Sequence, residues 1–551
     1  MTNESSIWLF LRKMRTPLIV LNLAHAIPII LLTIVPGIEV EGKTVYMSFF
    51  DAMYFVAYTA TTIGFGEIPY AFSYEQRMVV FLTIYLSVPS WFYALGSIVA
   101  LLQEKTFLNA LKVNSFRRRV DSLNQDFILI CGYNHSSKLL IDRLNQDNLY
   151  RIVVVDISNE KIEQLNTETY MPSIPSMVAD ASTTPTLKAS GIQSPRCKYI
   201  ITLFDDDQLN LKIAIRARIL NEKIKILSRS NVKHGSENLT NIGVDHVIDI
   251  FDIIAKRIDA ALFSPYLFNL ISWIQGGNLH VSKSDILPMG KYIVCSGGRF
   301  GKTLQKVLDT NSIEYIYVDL NKEVTKKSFS DKEFFLEADI ENAACIVAGT
   351  NDDAVNLSII ATARAMNPRI FVIARENESE ERSLFTHLRA DKIFILDHIA
   401  AIDAYNYIDR PVTLDFVREI STLDKTTIEK TLLGITQKVN KRPSLIEMSI
   451  VPSRAYALHQ MLQTTSITLG QLLNNPYRNG IDLEIVILGI KRKNGEFILL
   501  PDDTTLLEPE DHLLFATTKP SLVTFQTITN HYYELYFVLH GVEEKRFKLL
   551  F

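Results

Sequence analysis

Cysteine is scarce in this chain. There are four in 551 residues, Cys131, Cys197, Cys295 and Cys345, and no C-x-x-C pair among them. Each sits in or beside an apolar run that reads as a strand, so buried free thiols in a reducing cytosol are expected and no chemistry is assigned to them. An excess of charge of one sign is also missing. With 57 basic against 61 acidic residues the formal net charge is -4, which leaves no overall basic field for nucleic acid. A cleavable leader is not expected either: the first apolar run is long and follows Arg12, Lys13 and Arg15, so it reads as a retained helix. The length exceeds what one core organises and suggests three or four domains.

What the chain does have is two long apolar runs, Leu18 to Val35 and Met78 to Leu102, each sufficient to cross a bilayer as a helix. Between them lies Thr61-Thr62-Ile63-Gly64-Phe65-Gly66-Glu67. Two glycines separated by an aromatic suit a backbone that takes both signs of φ, so that successive carbonyls turn the same way. Extended backbone at membrane depth is tolerated only where it lines a polar path, and a stack of carbonyl oxygens is such a path. The run resembles the potassium-channel signature T-V-G-Y-G, with Ile63 for Val, Phe65 for Tyr and Glu67 for the usual Asp. The resemblance implies that Thr62, Ile63, Gly64, Phe65 and Gly66 form a selectivity filter for K+. Thr62 would supply the innermost site and the carbonyls of Ile63, Gly64 and Phe65 the next rings.

Basic residues before the first run, and Lys105, Lys112 and Arg117 to Arg119 after the second, place both ends in the cytoplasm. Glu39, Glu41 and Glu67 lie between the runs and face out. Asp51 to Thr61 reads as a short pore helix, with Tyr54 and Phe55 where related channels often carry a tryptophan pair. Pro17 suits the first turn of a helix. No arginine-rich helix precedes the pore, which excludes a voltage sensor of the known kind. In the second run Ser87 stands where many such channels carry a hinge glycine, Pro89 removes a helix hydrogen bond, and Gly96 follows. Ser87, Pro89 and Gly96 are therefore the expected gating hinge.

From about Asp126 the pattern changes to strand and helix in alternation. Phe127 to Cys131 and Tyr292 to Cys295 each open a unit, and each is followed by a buried strand ending in acid, at Asp156 and Asp319. Asp207, Asn210, Arg218, Arg229 and Asp245 recur as Asp353, Asn356, Arg364, Arg375 and Asp391, all at an offset of 146. The openings Gly132 and Ser296 are 164 apart, so the second copy is shorter by about 18 residues near Ser330 to Glu337. The glycine turn, the later D-D-x-x-N-L and a downstream arginine resemble the RCK domain, the regulator of potassium conductance. Filter, two spans and two such modules together resemble the prokaryotic tandem-RCK potassium channels gated by several ligands.

The expected layout is a pore domain over 1–104, with spans near 18–35 and 78–102 and pore helix and filter near 51–67. A linker over 105–126, a first RCK domain over 127–289 and a second with its C-terminal lobe over 290–551 follow. The expected fold class is a two-span α-helical pore with a re-entrant loop, plus two α/β Rossmann-like modules. Phe251 to Trp273 reads as a linking helix pair. Leu432 to Phe515 reads as strand-rich, with Gly434, Asn479-Gly480 and Asn494-Gly495 as turns. His531 to Phe551 is an aromatic and basic tail without a functional reading.

A dinucleotide turn needs glycine where backbone meets the pyrophosphate and where helix packs on strand. Against G-x-G-x-x-G, the second module reads Ser296-Gly297-Gly298-Arg299-Phe300-Gly301 and keeps the second and third glycines. Gly298, Arg299, Phe300, Gly301 and Asp319 form the favoured nucleotide site, for NAD or ADP/ATP, with Arg299 on a phosphate and Asp319 on the ribose. The first module reads Gly132-Tyr133-Asn134-His135-Ser136-Ser137 and keeps only the first glycine; Gly132, Asn134, Asp156 and Asp180 form the second candidate. His135 has no acid or nucleophile placed with it, so no catalytic role follows. Asp205-Asp206-Asp207 reads as a solvated loop. The resemblance extends to calcium, which family members bind through scattered carboxylates, but no metal position is assigned.

The function these features imply is a tetrameric, ligand-gated potassium channel in the inner membrane of a prokaryote, opened or closed by a ring of eight RCK modules. It is not an enzyme. A membrane-anchored NAD-dependent enzyme would need an acid–base pair near Asp319 or Asp156, and none is present. A regulatory subunit of a potassium transporter would lack a filter of its own.

Overall fold

The computed structural model describes residues 12, 14–40, 43–147, 149–274, 279, 286–318, 332–377, 382–439, 443–477 and 481–543. Asp319, Ser330, Asp331 and the Asn479-Gly480 pair lie outside them. The chain divides into two units: residues 1–124 with 175–177 and 188–191, and the remainder.

In the first unit, α1 (Arg15–Ile34) and α3 (Tyr74–Gln103) are long and apolar enough to cross a membrane. On α1 the buried residues Pro17, Ala24, Pro28 and Leu32 fall on one helical face. On α3 the buried stripe is Gln76, Val79, Thr83, Ser87, Ser90 and Ala94. Small and hydroxyl-bearing residues let helix backbones approach closely where burying apolar surface supplies no drive between helices. Their hydroxyls bond back onto the helix: Thr83 donates to the Val79 carbonyl at 2.7 Å, Ser87 to Thr83 at 2.6 Å and Ser90 to Ser87 at 2.7 Å. The large side chains, Phe81, Leu82, Tyr85 and Phe92 among them, point outward. The helix begins earlier than its apolar run because Ser73 and Gln76 form a reciprocal capping box. It stays continuous through Pro89.

Between them α2 (Phe49–Ala60) starts at Ser48, whose hydroxyl accepts from the Asp51 amide at 3.2 Å. It packs Ala52, Phe55, Val56 and Tyr58 against Leu32, Met47 and Val79. A further helix, α4 (Lys105–Asp121), follows α3, with Phe116 and Val120 buried.

Residues 127–395 contain two parallel sheets. The first is built from β1 (Phe127–Cys131), β2 (Arg151–Asp156), β3 (Ser176–Val178), β4 (Cys197–Thr202), β5 (Lys225–Ser230) and β6 (His246–Asp249), in the order β3-β2-β1-β4-β5-β6. The second has β7 (Tyr292–Cys295), β8 (Tyr315–Val318), β9 (Cys345–Ala348), β10 (Phe371–Glu376) and β11 (Lys392–Ile395), in the order β8-β7-β9-β10-β11. Both are the doubly wound arrangement, with order reversing beside the first strand. The counterpart of β3 is absent among the described residues of the second sheet, where the sequence is shorter. All four cysteines are buried in or beside strands, and burial pushes the Cys197 and Cys295 thiols up to about 12.

Five helices carry the positions used below: α5 (His135–Asp147), α6 (Asp207–Leu220), α7 (Ile250–Phe263), α8 (Pro265–Ile274) and α9 (Gly298–Thr310). In the second module α10 (Asp353–Met366), α11 (Leu396–Asp409) and α12 (Pro411–Ile420) correspond to α6, α7 and α8. Then comes α13 (Lys425–Lys438), which contains Gly434; the expected turn there is a helix interior, because Ile428, Leu432 and Ile435 bury a 3.6-residue stripe. The C-terminal lobe is an antiparallel sheet, with Ser444–Ser449 beside His512–Thr517, then Ile485–Lys491 and Phe497–Leu499. Gly495, at φ +92°, makes the turn between the last two in space. Part of the expected tail is a helix, Tyr532–His540, with Leu535 in the lobe's core.

Candidate functional site

The stretch between the spans is held by the end of α2. The amides of Ile63 and Gly64 both point at the Tyr58 carbonyl, at 3.0 and 3.3 Å, and the Thr62 amide bonds Thr59 at 3.1 Å. Thr62, Gly64 and Gly66 have φ of 60°, 63° and 73°, while Ile63 and Phe65 between them stay at negative φ. This alternation turns successive carbonyls to one side, which is the geometry a carbonyl-lined ion path requires. Glycine takes positive φ freely, but for β-branched Thr62 it is strained and needs surrounding contacts to hold it. The left-handed Thr62 was not foreseen from the sequence.

Phe65 lacks the hydroxyl of the usual tyrosine, and two other tyrosines brace the stretch. Tyr58, buried on α2, donates its hydroxyl to the Glu67 carbonyl at 3.0 Å, and Tyr54 reaches the Glu67 carboxylate at 3.3 Å. The Phe65 ring meets the Tyr58 ring edge-on, with centroids 6.3 Å apart. Tyr54 was singled out as an aromatic flank; Tyr58 was missed, though its four-residue spacing from Tyr54 places both on one helix face.

In the first module the glycine turn closes on itself. Asn134 donates to the Leu203 carbonyl at 2.7 Å and accepts from the Ser137 amide at 3.0 Å, while the Ser137 hydroxyl accepts from the Asn134 amide at 2.6 Å. A Cβ on Gly132, at φ +96°, would meet the Phe204 ring at 3.2 Å. Buried Asp156 takes the Tyr133 and Ser158 amides, both at 2.7 Å. Asp180 is exposed and caps Ser182 at 2.8 Å. His135 is exposed at the start of α5. The Ser136 hydroxyl bonds Asp397 of the second module at 2.5 Å.

The second turn is open. Gly298 has φ +66°, is exposed, and among the described residues nothing beyond its own turn and helix lies within 4 Å of the place a Cβ would take. Among the described residues no side chain caps the start of α9, which leaves its first amides without a side-chain partner. A Cβ on Gly301 would lie 2.6 Å from the Tyr317 hydroxyl, so helix and strand need glycine there. Phe300 is buried, with its ring against Gly349 and near Arg375. Arg299, expected on a phosphate, instead forms an ion pair with Asp249 at the end of β6.

The residues repeated at the 146 offset are clamps. Asn210 donates to the Phe204 and Arg229 carbonyls at 2.8 and 3.0 Å, and Asn356 to Thr350 and Arg375 at 3.1 and 3.0 Å. Asp207 and Asp353 accept the Asn231 and Asn377 amides. Arg218–Asp245 and Arg364–Asp391 each close at 2.7 Å. Asp206 and Asp207, expected to be solvated, cap α6 and hold this loop.

Comparison with known proteins agrees with this anatomy. Residues 18–104 match the family described as Ion channel, and residues 128–250 and 292–396 each match the TrkA-N domain, together more than half of the chain. The chain is 24% identical over 272 residues to Potassium channel protein 1 of Methanocaldococcus jannaschii, covering 49% of this chain and 76% of that one. It is 24% identical over 243 residues to Probable potassium channel protein 2 of the same organism, covering 44% and 66%. Among solved structures, the GsuK channel bound to NAD is 16% identical and aligns over 95% of this chain and 99% of its own, at a TM-score of 0.45. With an ion-channel pore at its start and two TrkA-N modules behind it, the chain belongs to the potassium channels that carry tandem RCK domains.

Proposed function

We propose that four copies of this chain surround one pore, and that a cytoplasmic ring of eight RCK modules opens and closes it in response to a nucleotide. The observation that carries this reading is the alternating backbone from Thr62 to Gly66, next to the exposed Ile63 and Phe65. One strip of carbonyls cannot replace an ion's water shell, so neighbouring strips must complete each ring of oxygens. In this reading residues 1–104 are the pore domain, 105–126 the linker, and 127–289 and 290–551 the two regulatory modules. The pore sits in a prokaryotic inner membrane, with the N-terminus and modules in the cytoplasm.

The regulatory nucleotide, NAD or an adenine nucleotide, belongs at the second turn. Gly298 lets a phosphate approach the backbone, and the uncapped amides of α9 with the helix dipole supply the positive end. Arg299 acts there by fixing the turn to Asp249 rather than by touching phosphate. The first turn, plugged by Asn134, Ser137 and Phe204, serves assembly. Among the described residues no group of three or more His, Cys, Asp and Glu is arranged to hold a metal, and the proposal includes no divalent ion. Gating requires that nucleotide bind the open and closed rings unequally. The inner-helix hinge is assigned to Ser87, Pro89 and Gly96.

Purified protein in potassium-loaded liposomes tests this. Potassium-selective flux that changes with added NAD or ADP is expected. Absence of flux in both conditions, or flux that does not distinguish potassium from sodium, would overturn it.

A further inference from the structure

The second unit contains a chamber of about 610 Å³ whose lining includes Asp249, the partner of Arg299 in the second glycine turn. Its walls are α7 and α8 from the first module and α11 and α12 from the second. That volume falls in the range of small-molecule sites, and the lining is of the same kind, with an apolar body and few polar groups. Phe263, Leu267, Ile271 and Val417 supply apolar surface.

Most of the charged groups lining it have a partner. Asp249 is paired with Arg299, Asp403 with His246 at 2.6 Å, Lys256 with Asp252 at 2.8 Å and Arg418 with Asp415 at 2.7 Å. Asp259 accepts from Asn311 at 2.7 Å. Arg257 remains. Its Nε is buried without a hydrogen-bond partner, and so is Thr413 Oγ1 on the opposite module. Burial lowers the Arg257 pKa to about 10, and the Asp403 charge only partly opposes that effect. The guanidinium is still charged at neutral pH, and a half-buried cation whose Nε has no hydrogen bond is costly unless an anion meets it.

We propose that this chamber binds an amphipathic monocarboxylate, its carboxylate on Arg257 and its apolar body along Phe263, Leu267, Ile271 and Val417. Thr413 offers a further hydroxyl. Among the described residues Arg257 is the one lining Lys or Arg without an ion pair, and a single cation of this kind selects a single negative charge. A planar guanidinium suits a carboxylate, which it grips through two parallel hydrogen bonds. Because both modules wall the chamber, an occupant weights one arrangement of the pair over another. The chamber meets the nucleotide turn only through Asp249 and Arg299, and its proposed occupant does not depend on that reading.

The test is equilibrium binding of phenylbutyrate to the full-length channel in lipid nanodiscs, with protein-free discs subtracted and neutral phenylbutyramide as the matched control. Saturable binding of one acid per chain is expected, with the amide weaker by about tenfold or more. Arg257→Met, which keeps the length and removes the charge, and Val417→Trp, which fills the chamber, are each expected to weaken the acid by about tenfold or more. If Arg257→Met does not assemble, Val417→Trp decides alone. No saturable binding to the unaltered channel, equal binding of acid and amide, or unchanged affinity in either assembled variant would overturn the proposal.

Discussion

Replacing Tyr58 with phenylalanine tests whether the filter borrows its rigidity from α2. The substitution removes one hydroxyl, keeps the ring that packs edge-on against Phe65, and frees the Glu67 carbonyl from its 3.0 Å bond. A neutral hydrogen bond of this kind contributes about 0.5–1.5 kcal/mol net. In a four-fold pore the bond occurs once per subunit, so the conducting filter as a whole loses about 2–6 kcal/mol relative to a state without these bonds. At about 1.4 kcal/mol per tenfold, the ratio of conducting to non-conducting filter falls by roughly 30-fold to twenty-thousand-fold. Single-channel recording reads this directly as shortened bursts. Selectivity for potassium over sodium should persist during each burst, because the carbonyl path is backbone. Tyr54→Phe, which loses a longer 3.3 Å contact at the mouth, should have the smaller effect. Burst durations within about twofold of the unaltered channel would refute the bracing role of Tyr58, since even the low end of the estimate is larger.

Gly298→Asp should abolish nucleotide binding by calorimetry while the channel still assembles. The left-handed position tolerates aspartate better than most residues and nothing crowds its Cβ, yet its charge falls where phosphate should lie. Retained binding would move the site to the first module. Burial pushes the Glu447 carboxyl up to about 8 from its ordinary 4.5, against the opposing effect of the Val412 amide whose hydrogen bond it accepts. The folded state then holds a proton that the unfolded chain releases, so stability should fall as pH rises from about 4.5 to about 8 and level off above. Glu447→Gln should flatten that slope in Tm measured against pH; an unchanged slope would refute the assignment. Pro89→Ala should restore a backbone donor to the Tyr85 carbonyl and stiffen α3, shifting open probability about tenfold for a change of about 1.4 kcal/mol per tetramer. Identical open probability at every nucleotide concentration would make Pro89 a packing residue.

The positive φ of Gly64 and Gly66 was legible because its chemistry is local: two glycines flanking one aromatic specify it. The brace of this stretch was not, because Tyr58 and Glu67 meet only once a helix has turned the chain back on itself. The duplication was also legible, as five polar residues at one offset, while their meaning was not. Asn356 shows no partner in the sequence, because a parallel strand must first bring the Arg375 carbonyl to it. Arg299 was placed on a phosphate because its partner, Asp249, belongs to the other module and 50 residues separate them. Asp156 follows the ribose-binding pattern in sequence, yet its carboxylate holds the amide of its own turn. Gly434 signalled a turn by composition, and the apolar stripe around it prevailed.

Four of the five repeated positions tie a module to itself: Asp207 and Asp353 hold their own Asn231 and Asn377, Asn210 and Asn356 their own strand ends, and Arg218 and Arg364 their own Asp245 and Asp391. None of these bonds passes through residues 132–137 or 296–301; only the fifth pair, Arg229 and Arg375, faces the other module, at Asp397 and Phe251. A duplicated domain built this way can let its loops drift without endangering its fold, because what keeps it folded and what would recognise a ligand occupy separate residues. The first copy has already drifted: asparagine and serine stand where the pattern has glycine, and its six-stranded sheet remains whole. Such a scaffold is free to exchange one chemical signal for another over evolutionary time, one turn at a time, while the channel it serves stays the same.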